Sequence, residues 1–173
     1  ACARRVGSLR RAHGGRKRRW CAFDALFPKL AGSRSLRLSS WNARSLLHHK
    51  RRVRLKKLEW LRRVAADSDV VMIQEIRGSG TLLRLELDGM RRGWKCFYSP
   101  HESPNSGGVA ILIRRALIPP SAQCRWQVLV PGRVAGLVLE DTEVSCAFWV
   151  VHNFGLTSAD FARVQGRLDA RRE

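Results

Sequence analysis

Nothing in this sequence could cross a membrane as a helix. No stretch approaches the roughly 20 apolar residues a span needs, and the apolar run at 147–151 is strand-sized. The apolar patch from Trp20 to Phe27 does not read as a secretory signal, because it is broken by Asp24 and closed by Pro28. No internal repeat and no Cys-x-x-Cys pair occur. The five cysteines (Cys2, Cys21, Cys96, Cys124 and Cys146) are odd in number, with no histidine cluster at zinc-ligand spacing. That argues against a zinc module or a disulfide framework and favours a reducing compartment.

Acidic residues are also scarce, 14 against 33 Lys and Arg for a net charge of +19, and the shortage is local. Residues 1–35 hold 10 basic and 1 acidic side chains, residues 36–65 again 10 and 1, and residues 66–173 hold 13 and 12. Nearly all the excess therefore lies in the first 65 residues. A concentrated positive patch favours a polyanion, and nucleic acid gains most through counterion release. Solvated arginines on a basic segment would look the same.

What is present reads as one globular domain behind a basic leader. At 173 residues and 45% hydrophobic content the chain can build a real core. Residues 1–35 carry Arg4-Arg5, Arg10-Arg11 and Arg16-Lys17-Arg18-Arg19 without a sustained period, so they are expected to be mostly disordered, with one helical turn around 22–27. From Leu36 a strand leads into Trp41-Asn42. Leu55, Leu58, Leu61 and Val64 or Ala65 then recur at helical spacing, and Val70 to Ile73 form a short strand buried on both faces and ending in Gln74-Glu75. Strand, helix, strand is a crossover unit, and chemistry collects at its strand tips. A second helix is expected over about 79–90, then strands at 94–99, 107–114 and 125–130, and a hairpin of 134–140 with 143–151. Ser158 would cap a last helix with Phe161, Val164 and Leu168 on one face.

Three polar tips end these strands: Asn42, Glu75 and His152-Asn153. Each alone has an ordinary explanation as a turn former, a strand end meeting solvent, or a satisfied histidine. Together with their flanks they are more specific. The segments Leu-Ser-Ser-Trp-Asn-Ala-Arg-Ser-Leu (38–46), Asp-Val-Val-Met-Ile-Gln-Glu (69–75), Asn-Ser-Gly-Gly-Val-Ala-Ile-Leu-Ile-Arg (105–114) and Val-Val-His-Asn (150–153) match in order and spacing. In these the chain resembles the endonuclease/exonuclease/phosphatase superfamily (exonuclease III/DNase I-like), and most of all the apurinic-type endonuclease domain of non-LTR retrotransposons.

The resemblance covers about Leu36 to Glu173, the N-terminal half of such a domain. It implies an α/β (α+β) fold: a two-sheet β-sandwich flanked by helices, incomplete at the C-terminus. It implies that Glu75 is the carboxylate ligand of Mg²⁺, with Mn²⁺ as the alternative, that Asn42 stands beside that ion, and that His152 contacts the scissile phosphate. Arg44 and the helix residues Arg51, Arg52 and Lys56 would grip the nucleic acid, DNA before RNA. No membrane partner is implied and no protein partner can be inferred. The nucleus or cytoplasm would house the chain, with an organelle left open.

Relatives carry a later Gly-Asp-x-Asn segment and a terminal Ser-Asp-His, which position the attacking water and stabilise charge. No Asp-x-Asn occurs here, and Ser68-Asp69-Val70 ends in the wrong residue. The expectation is thus a truncated, weakly active or inactive Mg²⁺-dependent phosphodiesterase of nucleic acid. A phosphoinositide or sphingolipid phosphodiesterase of the same superfamily is one alternative, and a catalytically dead, basic nucleic-acid-binding remnant is another. The initial Ala and the absence of an earlier Met than Met72 point to a processed chain or a fragment.

Overall fold

The computed structural model describes residues 36–141 and 145–169, together with the dipeptide Arg4–Arg5. The expected leader disorder and the helical turn around 22–27 lie outside the described residues. Two sheets stack. The first has the order β1-β2-β3-β5-β4, built from the two-residue β1 (Arg4–Arg5), β2 (Leu38–Asn42), β3 (Val70–Gln74), β4 (Trp94–Ser99) and β5 (Val109–Arg114). The second is the meander β6 (Gln123–Val130), β7 (Val134–Glu140) and β8 (Ser145–Val151). Helices α1 (Arg51–Ala66), α2 (Gly80–Leu87) and α3 (Ser158–Asp169) complete the α+β architecture.

Alternation along the strands builds two cores. Val70, Val109, Ile111 and Ile113 face Ala135, Leu137, Leu139, Cys146, Phe148 and Val150 across the sandwich. Their sequence neighbours Val71, Ile73, Ala110 and Leu112 point the other way, onto Leu58, Leu61 and Ala65 of α1 and Leu83 and Leu87 of α2. Period-2 side chains thus make the first sheet apolar on both faces, as the continuous runs of β3 and β5 demand. Burial pushes the Cys96 and Cys146 thiols up to about 11 and about 12, as for inert core cysteines.

The crossover unit forms as read: β2 and β3 are parallel, with Asn42 opposite Gln74. The hairpin forms too, with Val134 opposite Val151. Three details differ from the sequence reading. Leu55 is 43% exposed, because the stripe of α1 that meets the sheet runs through Leu58, Leu61 and Ala65. The second helix is α-helical only to Leu87 and tightens into a 3₁₀ turn over Asp88–Met90. Thr157, not Ser158, caps α3, in a reciprocal capping box. The Asp160 backbone N–H donates to Thr157 Oγ1 at 3.2 Å, and the Thr157 N–H donates to the Asp160 carboxylate at 3.0 Å. Helix α3 itself contributes no buried residue, and Phe161 is half exposed.

Candidate active site

Five chain segments meet at one end of the sandwich: the tips of β2, β3 and β8 and the approaches to β5 and β7. Glu75 sits immediately past β3 with φ of +54°, and Arg77 follows with φ of +52°. Two left-handed non-glycine residues so close together are strained, and the surrounding backbone holds them. Ser45 N–H donates to Glu75 O at 2.7 Å, Ile76 N–H to Gly108 O at 3.1 Å, and Arg77 N–H to Gly107 O at 3.0 Å.

This frame aims the Glu75 carboxylate at three groups, with a further cation near by. Asn42 Nδ2 donates to Oε1 at 2.9 Å, Arg77 Nη2 donates to Oε2 at 2.9 Å, and His152 Nε2 lies 3.4 Å from Oε1. Lys57 approaches from α1, where its ammonium donates to Ala43 O at 2.7 Å and also to Arg44 O. The Asn42 hydrogen bond, then the Arg77 bond and charge, hold the Glu75 carboxyl below the ordinary carboxylate range, although burial acts the other way. Lys57 is shifted down, first by burial and then by the Arg77 charge.

His152 is 8% exposed, and burial followed by the Arg133 charge lowers its pKa. Arg133, also 8% exposed, opens β7 beside it: the His152 N–H donates to Arg133 O at 2.8 Å, and Arg133 Nη1 lies 2.7 Å from His152 Nδ1. A guanidinium can only donate, so Nδ1 must accept and the proton of the neutral ring sits on Nε2, facing Glu75. The second arm of Arg133 donates to Ser106 Oγ at 2.9 Å. Arg133→Met is expected to release that tautomer. In ¹⁵N spectra of imidazole-labelled chain, the His152 Nδ1 resonance should move from the unprotonated position towards the average of the two tautomers. An unchanged resonance would refute the assignment.

The structure therefore brings Asn42, Glu75 and His152 together. Arg44 joins them through its backbone, whose N–H donates to Asn42 Oδ1 at 3.0 Å. Arg51, Arg52 and Lys56 stand apart, on the exposed outer side of α1. Arg77, Arg133, Ser106 and Lys57 complete the site and were not singled out in the sequence. The one signal for Arg133 is a charged residue between a Pro-Gly turn and the apolar run from Val134 to Leu139.

A model described as the endonuclease/exonuclease/phosphatase family matches residues 39–172. The chain belongs to this family. No curated protein matches it. Its membership makes it a phosphodiesterase- or nuclease-type hydrolase by kind, in a family that acts on nucleic acid or other phosphodiesters and is generally dependent on a divalent metal. The donor set suits such an ion. Glu75 is a hard carboxylate whose Oε2 keeps a lone-pair direction open after Asn42, Arg77 and His152 are served. Mg²⁺ is usually held by one or two carboxylates with water and substrate phosphate filling the rest. Among the described residues no cluster of three or more His, Cys, Asp or Glu side chains forms a closed metal cage.

Proposed function

We propose that this chain is a phosphodiesterase of nucleic acid, DNA before RNA, of the retroelement endonuclease type and dependent on Mg²⁺ or Mn²⁺. The observation that carries this reading is the convergence of Asn42, Glu75 and His152 from three strand tips onto one carboxylate. The crowding of +18 of the +19 charge into the first 65 residues favours a nucleic acid over a lipid headgroup. The four matching segments favour the retroelement type.

Hydrolysis requires water to bond to phosphorus while the P–O bond to the leaving oxygen breaks and that oxygen takes a proton. Bound at Glu75, with Asn42 beside it, the divalent ion supplies polarisation of the phosphoryl oxygens and charge for the leaving group. His152 Nε2–H donates to a non-bridging oxygen, and Arg133 fixes the ring for that donation. Arg77 adds a cation that can turn from Glu75 to the phosphate. Among the described residues no further acidic or histidine side chain is grouped with Glu75 and His152 to activate the water. Turnover by this chain is accordingly expected to be slow.

Abasic duplex, supercoiled plasmid and inositol polyphosphate offered side by side, with Mg²⁺ and then with EDTA, test this reading. Chelator-sensitive cleavage is expected on the nucleic acids alone. Hydrolysis of the inositol phosphate overturns the substrate class. Salt-sensitive binding of DNA without cleavage of any of the three selects the binding-remnant reading instead.

A further inference from the structure

Helix α1 has its apolar side committed to the core, where Leu58, Leu61 and Ala65 are 1%, 0% and 2% exposed. Its opposite side carries an open groove lined by Arg51, Arg52, Leu55, Lys56, Glu59 and Arg62. Four cations thus face one carboxylate, and that carboxylate is paired with Arg63 at 2.5 Å. Trp60 does not line the groove but lies beside it, one turn beyond Lys56, at 42% exposure, and is the one exposed tryptophan among the described residues. Helical spacing makes Lys56, Lys57 and Arg63 its neighbours at i−4, i−3 and i+3. A large ring left in water beside Lys56 and a basic groove suits a partner that is both planar and anionic. A lipid surface would need a continuous apolar face, and that face of α1 is already buried.

We propose that the outer side of α1 holds a single-stranded stretch of nucleic acid, with one unpaired base stacked on Trp60 and the flanking phosphates on Arg52 and Lys56. Stacking on an aromatic platform beside a basic groove is sequence-tolerant and needs a base free of its partner. Lys57 connects this surface to the site at Glu75, because its ammonium rests on the Ala43 and Arg44 carbonyls just after Asn42. A strand engaged at Glu75 can continue past Lys57 onto Trp60. This surface rests on the proposed function only in taking nucleic acid as its ligand.

Fluorescence anisotropy on the 173-residue chain tests it, using a labelled mixed-sequence single strand and the matching duplex, in chelator so that nothing is cleaved. Trp60→Ala should weaken single-strand binding about tenfold, leave duplex binding unchanged and leave the salt dependence intact. Trp60→Phe should restore most of the loss. Arg52→Gln with Lys56→Gln should lower the slope of log K against log salt by about 1.4, two phosphate contacts on a single strand. Equal losses on both ligands, or none from any variant, overturn the proposal. So does tighter binding to phosphatidylserine vesicles that falls with Trp60→Ala while nucleic-acid binding holds. Trp60-dependent binding in a chain that cleaves no nucleic acid would leave this surface standing and remove the catalytic reading alone.

Discussion

Glu75→Ala should abolish binding of a divalent ion at the site and lower any metal-dependent cleavage at least a hundredfold, the scale of losing a main electrostatic stabiliser. The reason lies in the charges that remain. With the carboxylate gone, Arg77 and Lys57 are left facing its position, and no described acidic residue takes over. A cation would then be repelled where it had been held. Mn²⁺ titration followed by electron paramagnetic resonance reads the binding directly, and plasmid nicking reads turnover. Glu75→Gly separates chemistry from folding, since φ of +54° suits glycine better than any other residue. It should lose the ion as completely as Glu75→Ala while matching or exceeding its melting temperature. Undiminished Mn²⁺ binding in either variant would remove Glu75 as the ligand.

Gly132→Ala should be the most damaging added methyl among the described glycines. Gly132 has φ of +63°, and an added Cβ would lie 2.5 Å from both Cα and Cβ of His101 and 2.7 Å from its backbone nitrogen. Backbone cannot rotate aside as a side chain can. The same residue donates its N–H to the buried Ser99 Oγ at 3.0 Å and accepts from the Gly108 N–H at 2.9 Å. The turn before β7 is thereby threaded against the end of β4 and the loop that leads into β5. Strain at a left-handed alanine and overpacking together cost about 3 kcal/mol, or about 10 °C in melting temperature for a chain of this size. Arg133, the next residue, should lose its hold on His152 at the same time. Gly166→Ala is the matched control, with nothing within 4 Å of its added Cβ and a helical position that prefers alanine. Equal melting temperatures for the two variants would refute the argument.

The sandwich was legible because β3, β5 and β7 announce themselves as short apolar runs, and because the crossover through α1 leaves few ways to join them. Asn42, Glu75 and His152 were legible as polar strand tips, with His152 directly after an apolar run and Glu75 one residue beyond Gln74, and the four matched segments together singled them out. The cations that surround them were not. In a chain with 33 basic residues an arginine signals solvent, and nothing local marks Arg133 as 8% exposed or Arg77 as a partner of Glu75. Those roles arise only when loops far apart in sequence meet. The misplacement of Leu55 has a simpler cause. Leucines at three-residue spacing drift around a helix of 3.6 residues per turn, so not every member of Leu55, Leu58, Leu61 can face inward.

The two sheets divide the site between them. Asn42 and Glu75 ride on the first, Arg133 and His152 on the second, and the 3.4 Å gap between Glu75 and His152 spans the join. The packed layer of Ile111, Leu137 and their neighbours sets the spacing of those sheets, together with the Gly132 hydrogen bonds to Ser99 and Gly108. The gap is thus a gauge of how far one sheet slides over the other. A methylene gained or lost deep in that layer would be transmitted as leverage to the reacting end, though it touches no residue of the site.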